Sequence, residues 1–537
     1  MPDLSDQQKD ALNKDNVHVT QAAGVVGMAT LVSRILGYVR DMVMASLFGA
    51  GMASDAFIAA FRIPNTLRRL FGEGSLSIAF VPVFTDCYNR QGREEAERLA
   101  ASALRLVSGV LALAVVAGIV FSPAAVHLLA YGFTDNPEKY QLCVHLTRLM
   151  MPYILFIGLV AMCMGILNVL GHFAAPALAP TVLNITMIGT VFLFAWLSPS
   201  QITRVTGLAL GVLVGGALQL GLQVPFLIHK KIHFWRAAPL WHPAMKQVLV
   251  LMGPAVFGAA VYQINGLVIC LLGSLLPQGS ITYLYYADRL VQFPLGLFAI
   301  AMATAVLPTL SRQATEGQWD ALRNTFSHAI RLILFITLPS MVGLIILREP
   351  IVALLFEHGA FGGQTTRLTA GALLYYGVGL WAFSAVRILI YTFYALKDTR
   401  TPVTAAIIAI ATNIGLGVIL MGPMKHNGLA LALSLASMLH VVLLCMALRK
   451  KMGALGWRRI VRSTAVSCLC TAVMGAAVWC LARRLIPAEG AGTLALFLDL
   501  AACMAAGVVV FIIAAAAVKA PELETFKQLW VQRTQLR

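Results

Sequence analysis

The chain has 537 residues, 59% of them hydrophobic and only 12% charged, with a mean hydropathy of +0.81. Soluble domains carry about 45–50% apolar and 25% charged residues, so a water-soluble fold is excluded. The formal net charge of +17 would suit nucleic acid, but the basic residues fall mostly in short connectors between apolar runs, as the positive-inside rule requires of a membrane protein, and no nucleic-acid partner is expected.

Residues 1–19 are polar and mixed in charge, without the basic start and apolar core of a cleaved signal peptide, and read as a cytoplasmic N-terminal tail. About fourteen helical spans follow, near 20–48, 53–89, 97–130, 141–170, 175–197, 204–229, 245–276, 281–312, 321–347, 366–396, 402–421, 427–449, 460–483 and 492–518. Several exceed the roughly 20 residues of a perpendicular crossing, which predicts tilt or extension beyond the bilayer. Connectors on the N-terminal side hold Arg90, Arg93 and Arg98, then Lys230, Lys231, Arg236 and Lys246, and later the run from Arg449 to Arg462; those on the other side hold only Lys139, Arg204, Arg348, Lys425, Arg483 and Arg484. This asymmetry fits an even number of spans with both termini cytoplasmic. Residues 519–537 are then a second cytoplasmic tail.

The chain also repeats itself. Ala79-Phe80-Val81-Pro82 leads to an acidic helix start, as does Ala305-Val306-Leu307-Pro308; "LNVLGHFAAP" ending at Pro176 is matched by "FYALKDTRTP" ending at Pro402. Pro82 is separated from Pro308 by the same stretch of chain as Pro176 is from Pro402, which favours duplication over chance. The expected fold is an all-α polytopic membrane protein: an N-lobe of spans 1–6 (20–230), a pseudo-symmetric C-lobe of spans 7–12 (231–450), and two added spans in 451–518. A parallel repeat of this kind places a substrate site at the interface of its halves.

A charge at the centre of a membrane helix costs roughly 2.5–3.5 kcal/mol on insertion scales, so each one needs a reason. Span 1 carries Arg34, Arg40 and Asp41, and span 2 carries Asp55, Arg62, Arg68, Arg69 and Glu73. The spacing of Asp55, Arg62, Arg69 and Glu73 by seven, seven and four draws one polar stripe down an apolar helix, with Arg68 about 100° to its side. Span 8 adds Asp288 and Arg289 after Tyr283, Tyr285 and Tyr286, and the repeat predicts that spans 2 and 8 face each other across a central cavity. The plain structural reading is mutual pairing, Arg69 with Glu73, Arg40 with Asp55, and Asp288 with a neighbouring arginine. Yet Arg34, Arg40, Arg62, Arg68, Arg69 and Arg289 outnumber Asp41, Asp55, Glu73 and Asp288. Surplus guanidinium suits phosphate or pyrophosphate, which arginine holds through paired, planar hydrogen bonds.

Other residues carry less. Arg387 in span 10 is an isolated cation that could be a gate contact or reach a carbonyl; His127, His145 and His172 near span ends read as interfacial; and Glu357-His358-Gly359 reads as a polar turn. The nine cysteines are scattered, without a CxxC pair or metal-ligand spacing, so neither metal nor other cofactor is expected. No Walker loop, GxSxG or HExxH motif supports enzyme chemistry.

Four stretches together resemble one family: "LVSRILGYVRDMVMASLFGAGMASDAF" (Leu31–Phe57), "FRIPNTLRRLFGEGSLSIAFVPVF" (Phe61–Phe84), "YYADRLVQFPLGLF" (Tyr285–Phe298) and "FYALKDTRTPV" (Phe393–Val403). They are similar to the MurJ family of lipid II flippases, in register over essentially the whole chain. The resemblance implies the multidrug/oligosaccharidyl-lipid/polysaccharide exporter fold in a bacterial inner membrane, with spans 13 and 14 forming a lipid-tail groove whose small residues, such as Gly475, Ala476 and Ala477, permit close approach. It implies lipid II as cargo, membrane lipids and cell-wall synthesis or division proteins as further partners, and Arg34, Arg40, Arg68 and Arg289 as substrate contacts. Asp41, Asp55, Arg62, Arg69, Glu73 and Asp288 would support them. Two departures count: Gln292 stands where some members carry an acid, and span 11 offers only Thr404, Thr412 and Asn413 where a cation site would need one, which argues against sodium coupling. The rival expectations are a flippase for another polyprenyl-linked oligosaccharide and a non-transporting scaffold of cell-wall enzymes. A drug/cation antiporter would want surplus carboxylates instead.

Overall fold

The computed structural model describes residues 6–70, 76–232, 239, 241–486 and 492–524. Each span read from the sequence is occupied by one helix or by two in succession. Span 1 is α1 (Asp6–Phe48), which starts inside the segment read as the N-terminal tail; span 2 is α2 (Met52–Leu70) and α3 (Leu76–Arg90). Span 3 is α4 (Arg93–Val120) followed by α5 (Ser122–Leu129), and span 4 is α6 (Pro137–Met150) and α7 (Tyr153–Val169). Spans 5–7 are α8 (Ala174–Leu197), α9 (Gln201–His229) and α10 (Met245–Ser274). Span 8 is α11 (Ser280–Pro294), a π-helical turn (Leu295–Ala299) and α12 (Ile300–Thr315); span 9 is α13 (Trp319–Ile346), with the short α14 (Arg348–Phe356) after it. Span 10 divides into α15 (Gly363–Val378) and α16 (Leu380–Ala395), and spans 11–14 are α17 (Arg400–Met424), α18 (His426–Met452), α19 (Trp457–Leu485) and α20 (Thr493–Ala517).

Among the described residues, ten helical segments are long and apolar enough to cross a membrane, or eleven when α15 and α16, bent by 43°, count as one. The breaks have local causes. Pro152 lies between α6 and α7, and Pro294 stands immediately before the π-helical turn; a proline lacks the amide that would continue the helical ladder.

The helix boundaries repeat with the offset of the proline pairs. Helices α5, α6 and α8 start at Ser122, Pro137 and Ala174, and α14, α15 and α17 start one repeat offset later, at Arg348, Gly363 and Arg400. The turn before α8 uses Gly171 at φ 76°, and the turn before α17 uses Lys397 at φ 57°, again at the repeat-equivalent position. By internal contacts the chain forms two compact units, residues 1–44 with 51–271 and residues 45–50 with 272–537. The first has a core that includes Phe80, Phe84, Leu99, Met162 and Ile166. In the second, α19 packs on α13 and α20, around Phe335, Met474, Cys503 and Phe511. Gly475 belongs to this packing: a Cβ there would lie 2.9 Å from Val342 Cγ1 on α13, so its close approach is to a helix. Beyond α20, the buried Glu522 carboxylate accepts from Arg331 on α13 and Ser463 on α19, each at 2.8 Å.

The second unit also holds the turn after α1. Gly49 has φ 56°, a left-handed conformation, and a Cβ there would lie 2.4 Å from the Ala360 carbonyl oxygen; the Ala360 amide donates to the Ser46 carbonyl at 2.7 Å. Only glycine meets both conditions.

The turn between α16 and α17 is held by Asp398. Its Oδ1 accepts from the amides of Arg400 and Thr401, and its Oδ2 from the Thr401 hydroxyl and Lys451 at the end of α18. Burial alone would raise this carboxyl, but the hydrogen bonds from Lys451 and Thr401 and the Lys451 charge outweigh it and hold the pKa down at about 2. The stabilisation is therefore complete above the unfolded value near 3.8 and is lost as pH falls towards 2. Asp398→Ala should cost about 1–2 kcal/mol. Thermal unfolding in detergent should show this loss at neutral pH, with the gap between variant and parent closing only below about pH 4.

Candidate functional site

The charged residues of the first unit lie on helices whose ends the sequence fixes locally. At the start of α2 the Ser54 hydroxyl accepts from the Gly51 amide at 2.9 Å, and Asp55 sits in the first turn, where the helix dipole favours an acid. At the start of α6 the Asn136 side chain accepts from the Lys139 amide at 3.1 Å with Pro137 beside it, which places Lys139 in that helix's first turn. There the dipole opposes a cation.

Asp55 resolves this opposition. Its Oδ2 accepts from Lys139 Nζ at 2.8 Å, with the side chains only 2% and 9% exposed, and the ammonium lies 4.2 Å from the centre of the Phe133 ring. The lysine counted in the sequence as a connector cation is thus a buried partner of a site acid, 84 residues away in the chain. One cue was available: Asn136-Pro137 marks a helix start, so Lys139 stands inside a helix.

Arg40 and Asp41, adjacent on α1, are both buried, and the arginine donates to Asp41 Oδ1 through Nε at 3.1 Å and Nη2 at 2.7 Å. Nη1 donates to Asn184 Oδ1 on α8 at 3.1 Å, and the same amide's Nδ2 donates to the Ser33 carbonyl at 3.1 Å. Asn184 therefore fixes both the arginine and the backbone of α1. Sequence reasoning missed it, although an amide in an apolar span is a signal of this kind.

The remaining members lie along the same two helices. Arg68 is half-buried and donates from Nε to Asn65 Oδ1 at 3.1 Å. Arg62 is half-buried, its guanidinium beside Gly266 of α10, where a Cβ would lie 3.1 Å from Nη1. Arg34 and Arg69 are exposed, and Glu73 lies outside the described residues. In the second unit, half-buried Arg289 donates to the Tyr285 hydroxyl from Nε at 3.3 Å and Nη2 at 3.1 Å, and its guanidinium lies 5.1 Å from that ring's centre. Asp288 accepts from Gln292 at 3.4 Å, and Arg387 on α16 is half-buried.

The charge balance of the first unit sharpens. Asp55, one of the few acids set against Arg34, Arg40, Arg62, Arg68 and Arg69, is engaged by Lys139, a cation the sequence count left out, so the excess is larger than that count gave. Such a surface stabilises a polyanion, and guanidinium in particular matches the tetrahedral oxygens of phosphate.

Comparison with known proteins gives a consistent result. The model of the family described as lipid II flippase MurJ matches residues 44–498. A probable lipid II flippase MurJ from Vibrio cholerae serotype O1 is 40% identical over 431 residues, covering 78% of this chain and 81% of the relative. Among solved structures, a lipid II flippase MurJ in an inward closed conformation superposes with a TM-score of 0.77 at 28% identity, covering 92% of this chain and 98% of its own. An inward-facing multidrug resistance MATE family transporter of the MOP superfamily, at 16% identity, shares the fold with a TM-score of 0.68 over 81% of this chain and 99% of its own.

The buried pair makes a quantitative prediction. Lys139→Met or Asp55→Asn alone leaves a charge in a site that excludes water, and each should cost about 3–5 kcal/mol. The double variant Asp55→Asn with Lys139→Met should recover most of that loss. Thermal unfolding of the four purified proteins closes the cycle; additive single losses would show that the two side chains do not act as a pair.

Proposed function

The chain belongs to the lipid II flippase MurJ family, and from that premise we propose that it moves lipid II from the cytoplasmic to the periplasmic leaflet of the bacterial inner membrane, for peptidoglycan synthesis, by alternating access. The observation that carries the reading is the family match across residues 44–498. The cation excess of α1 and α2 supplies its chemistry, because the headgroup of the cargo is a pyrophosphate diester carrying two negative charges.

Arg34, Arg40, Arg68 and Arg289 are the proposed pyrophosphate contacts. Arg40 is the most pre-organised, since Asp41 and Asn184 fix its guanidinium before any cargo arrives, and the ordering entropy is then not charged against binding. Asp41, Asp55, Glu73 and Asp288, with Arg62 and Arg69, are proposed to exchange partners as access changes sides, so that no charge is left bare in either state. The proposed layout has an N-lobe of 20–230, a C-lobe of 231–450, a lipid-tail groove in 451–518 and both termini cytoplasmic, in line with the alternation of Lys and Arg among the connectors. The cargo crosses without covalent change, so the protein acts as a transporter and not as an enzyme. Cell-wall synthesis or division proteins are the proposed partners on delivery.

The test is replacement of a host's own lipid II flippase by this chain, with lipid II in the outer leaflet measured directly. The parent sequence should restore delivery. Arg34→Ala and Arg289→Ala should each lower it about 10–100-fold at normal protein level, the loss of one charge-assisted contact. Delivery unchanged in both variants would remove the arginines from the mechanism. Failure of the parent chain, inserted normally, would point to another polyprenyl-linked cargo or to a scaffold.

A further inference from the structure

The second unit contains a cavity of about 870 Å³ that none of the site residues above lines. It lies where α13 and α19 end, α15 and α20 begin and α14 runs between them, so it opens at one end of the helices, at the level where hydrocarbon gives way to headgroups. Its size is within the range of sites that enclose a small ligand.

Arg348, Arg367 and Arg483 line it. Arg348 is engaged locally, donating to the Ile345 carbonyl at 2.8 Å and lying 3.6 Å from Glu349. The Arg483 guanidinium lies 3.9 Å from the centre of the Trp479 ring, a cation–π contact that leaves its edge donors for another group. Among the described residues no ion pair involves Arg367 or Arg483, although Glu357 is also in the lining.

The internal repeat shows that these charges are particular to this place. Counting back by the repeat offset, Arg348 corresponds to Ser122 and Arg367 to Gln141, both neutral. The first repeat has no counterpart of α19 and α20, the helices that complete the cavity's wall in the second. Arginines thus stand at repeat-equivalent positions only in the copy where a wall closes the space. The outer face of this wall is apolar: on α20, Leu494, Phe497 and Leu498 are 71%, 53% and 58% exposed, beside Leu496 in the lining.

We propose that this cavity binds the phosphate headgroup of an anionic membrane phospholipid. The phosphate lies against Arg367 and Arg483, Trp479 takes the interfacial position preferred by its ring, and the acyl chains run down the apolar face of α20. The lipid bridges α14 and α15 to the two added helices. With both termini cytoplasmic, as proposed above, the leaflet is the outer one; the binding itself does not depend on that reading or on the cargo.

The test uses the full chain, purified in detergent and stripped of lipid, with native mass spectrometry of added phosphatidylglycerol, phosphatidylcholine and soluble glycerol 3-phosphate. The parent should retain phosphatidylglycerol about tenfold more tightly than phosphatidylcholine, and glycerol 3-phosphate should not displace it. Arg367→Gln with Arg483→Gln should abolish the preference, while Arg458→Gln with Arg462→Gln, at the opposite end of α19, should leave it intact. Thr493→Glu is a second probe that adds a competing carboxylate in the first turn of α20, where the helix dipole favours it, and it should release the lipid with folding preserved. An unchanged preference in the double variant or in Thr493→Glu would overturn the proposal. So would equal loss in the Arg458 and Arg462 control, and displacement by glycerol 3-phosphate would make this a site for a free phosphate instead.

Discussion

An ionised group taken out of water must meet an opposite charge or a set of hydrogen bonds, and several kcal/mol depend on whether it does. In this chain that constraint decides which helices lie together. Asp55 at the head of α2 requires a cation, and Lys139 at the head of α6 requires an anion; their 2.8 Å contact fixes one end of α2 on α6. The Arg40–Asp41 pair does the same for α1, because the arginine's remaining donors reach Asn184 and so tie α1 to α8. Apolar packing alone would not choose these partners, since in a bilayer a leucine is as well satisfied by lipid as by a neighbouring helix.

The same constraint explains why the leftover cations are arginines. A guanidinium stays charged wherever it is placed, so it cannot escape burial by losing its proton as a lysine can. Where lysine is used, at position 139, the partner is a buried carboxylate and the aromatic face of Phe133 lies beside it. Arginine is used more variably: Arg40 donates to the Asp41 carboxylate, whereas Arg68 donates to Asn65 and Arg289 to the Tyr285 hydroxyl. A neutral acceptor orients a guanidinium without cancelling its charge. These contacts fit the proposed binding and release of a pyrophosphate.

The spans were legible because hydropathy over a window of about 20 residues is the physical quantity that decides insertion, and the composition of each segment sets it directly. The breaks inside spans were less so. Hydropathy does not register a change of direction, and the bend between α15 and α16 at Gly379 leaves the apolar run from 366 to 396 intact. In the site, the residues on α1 and α2 were legible as charges out of place, but their partners were not. Spacing rules connect residues within one helix, whereas Lys139 and Asn184 meet Asp55 and Arg40 across 84 and 144 residues of chain. Asp398 shows the opposite case: the "KDTRTP" segment carries its own capping logic, and three of its four contacts lie within three residues.

The duplication and its breakdown separate what folds the protein from what gives it a task. Positions that set the backbone survive the repeat offset: Pro82 with Pro308, Pro176 with Pro402, and the left-handed turn of Gly171 with that of Lys397. Charges do not. Asp55 corresponds to Ile281, Arg68 to Pro294 and Arg69 to Leu295, while Arg62 corresponds to Asp288, a charge of opposite sign. At the positions equivalent to Arg68 and Arg69 the second copy has the proline and the start of the π-helical turn, so its backbone differs where the first copy's side chains carry the charge. A symmetric cargo would have favoured equal halves. Lipid II has a charged pyrophosphate between a bulky sugar-peptide and a long apolar tail, and an amphiphile of that shape calls for halves that keep one scaffold and distribute their charges unequally.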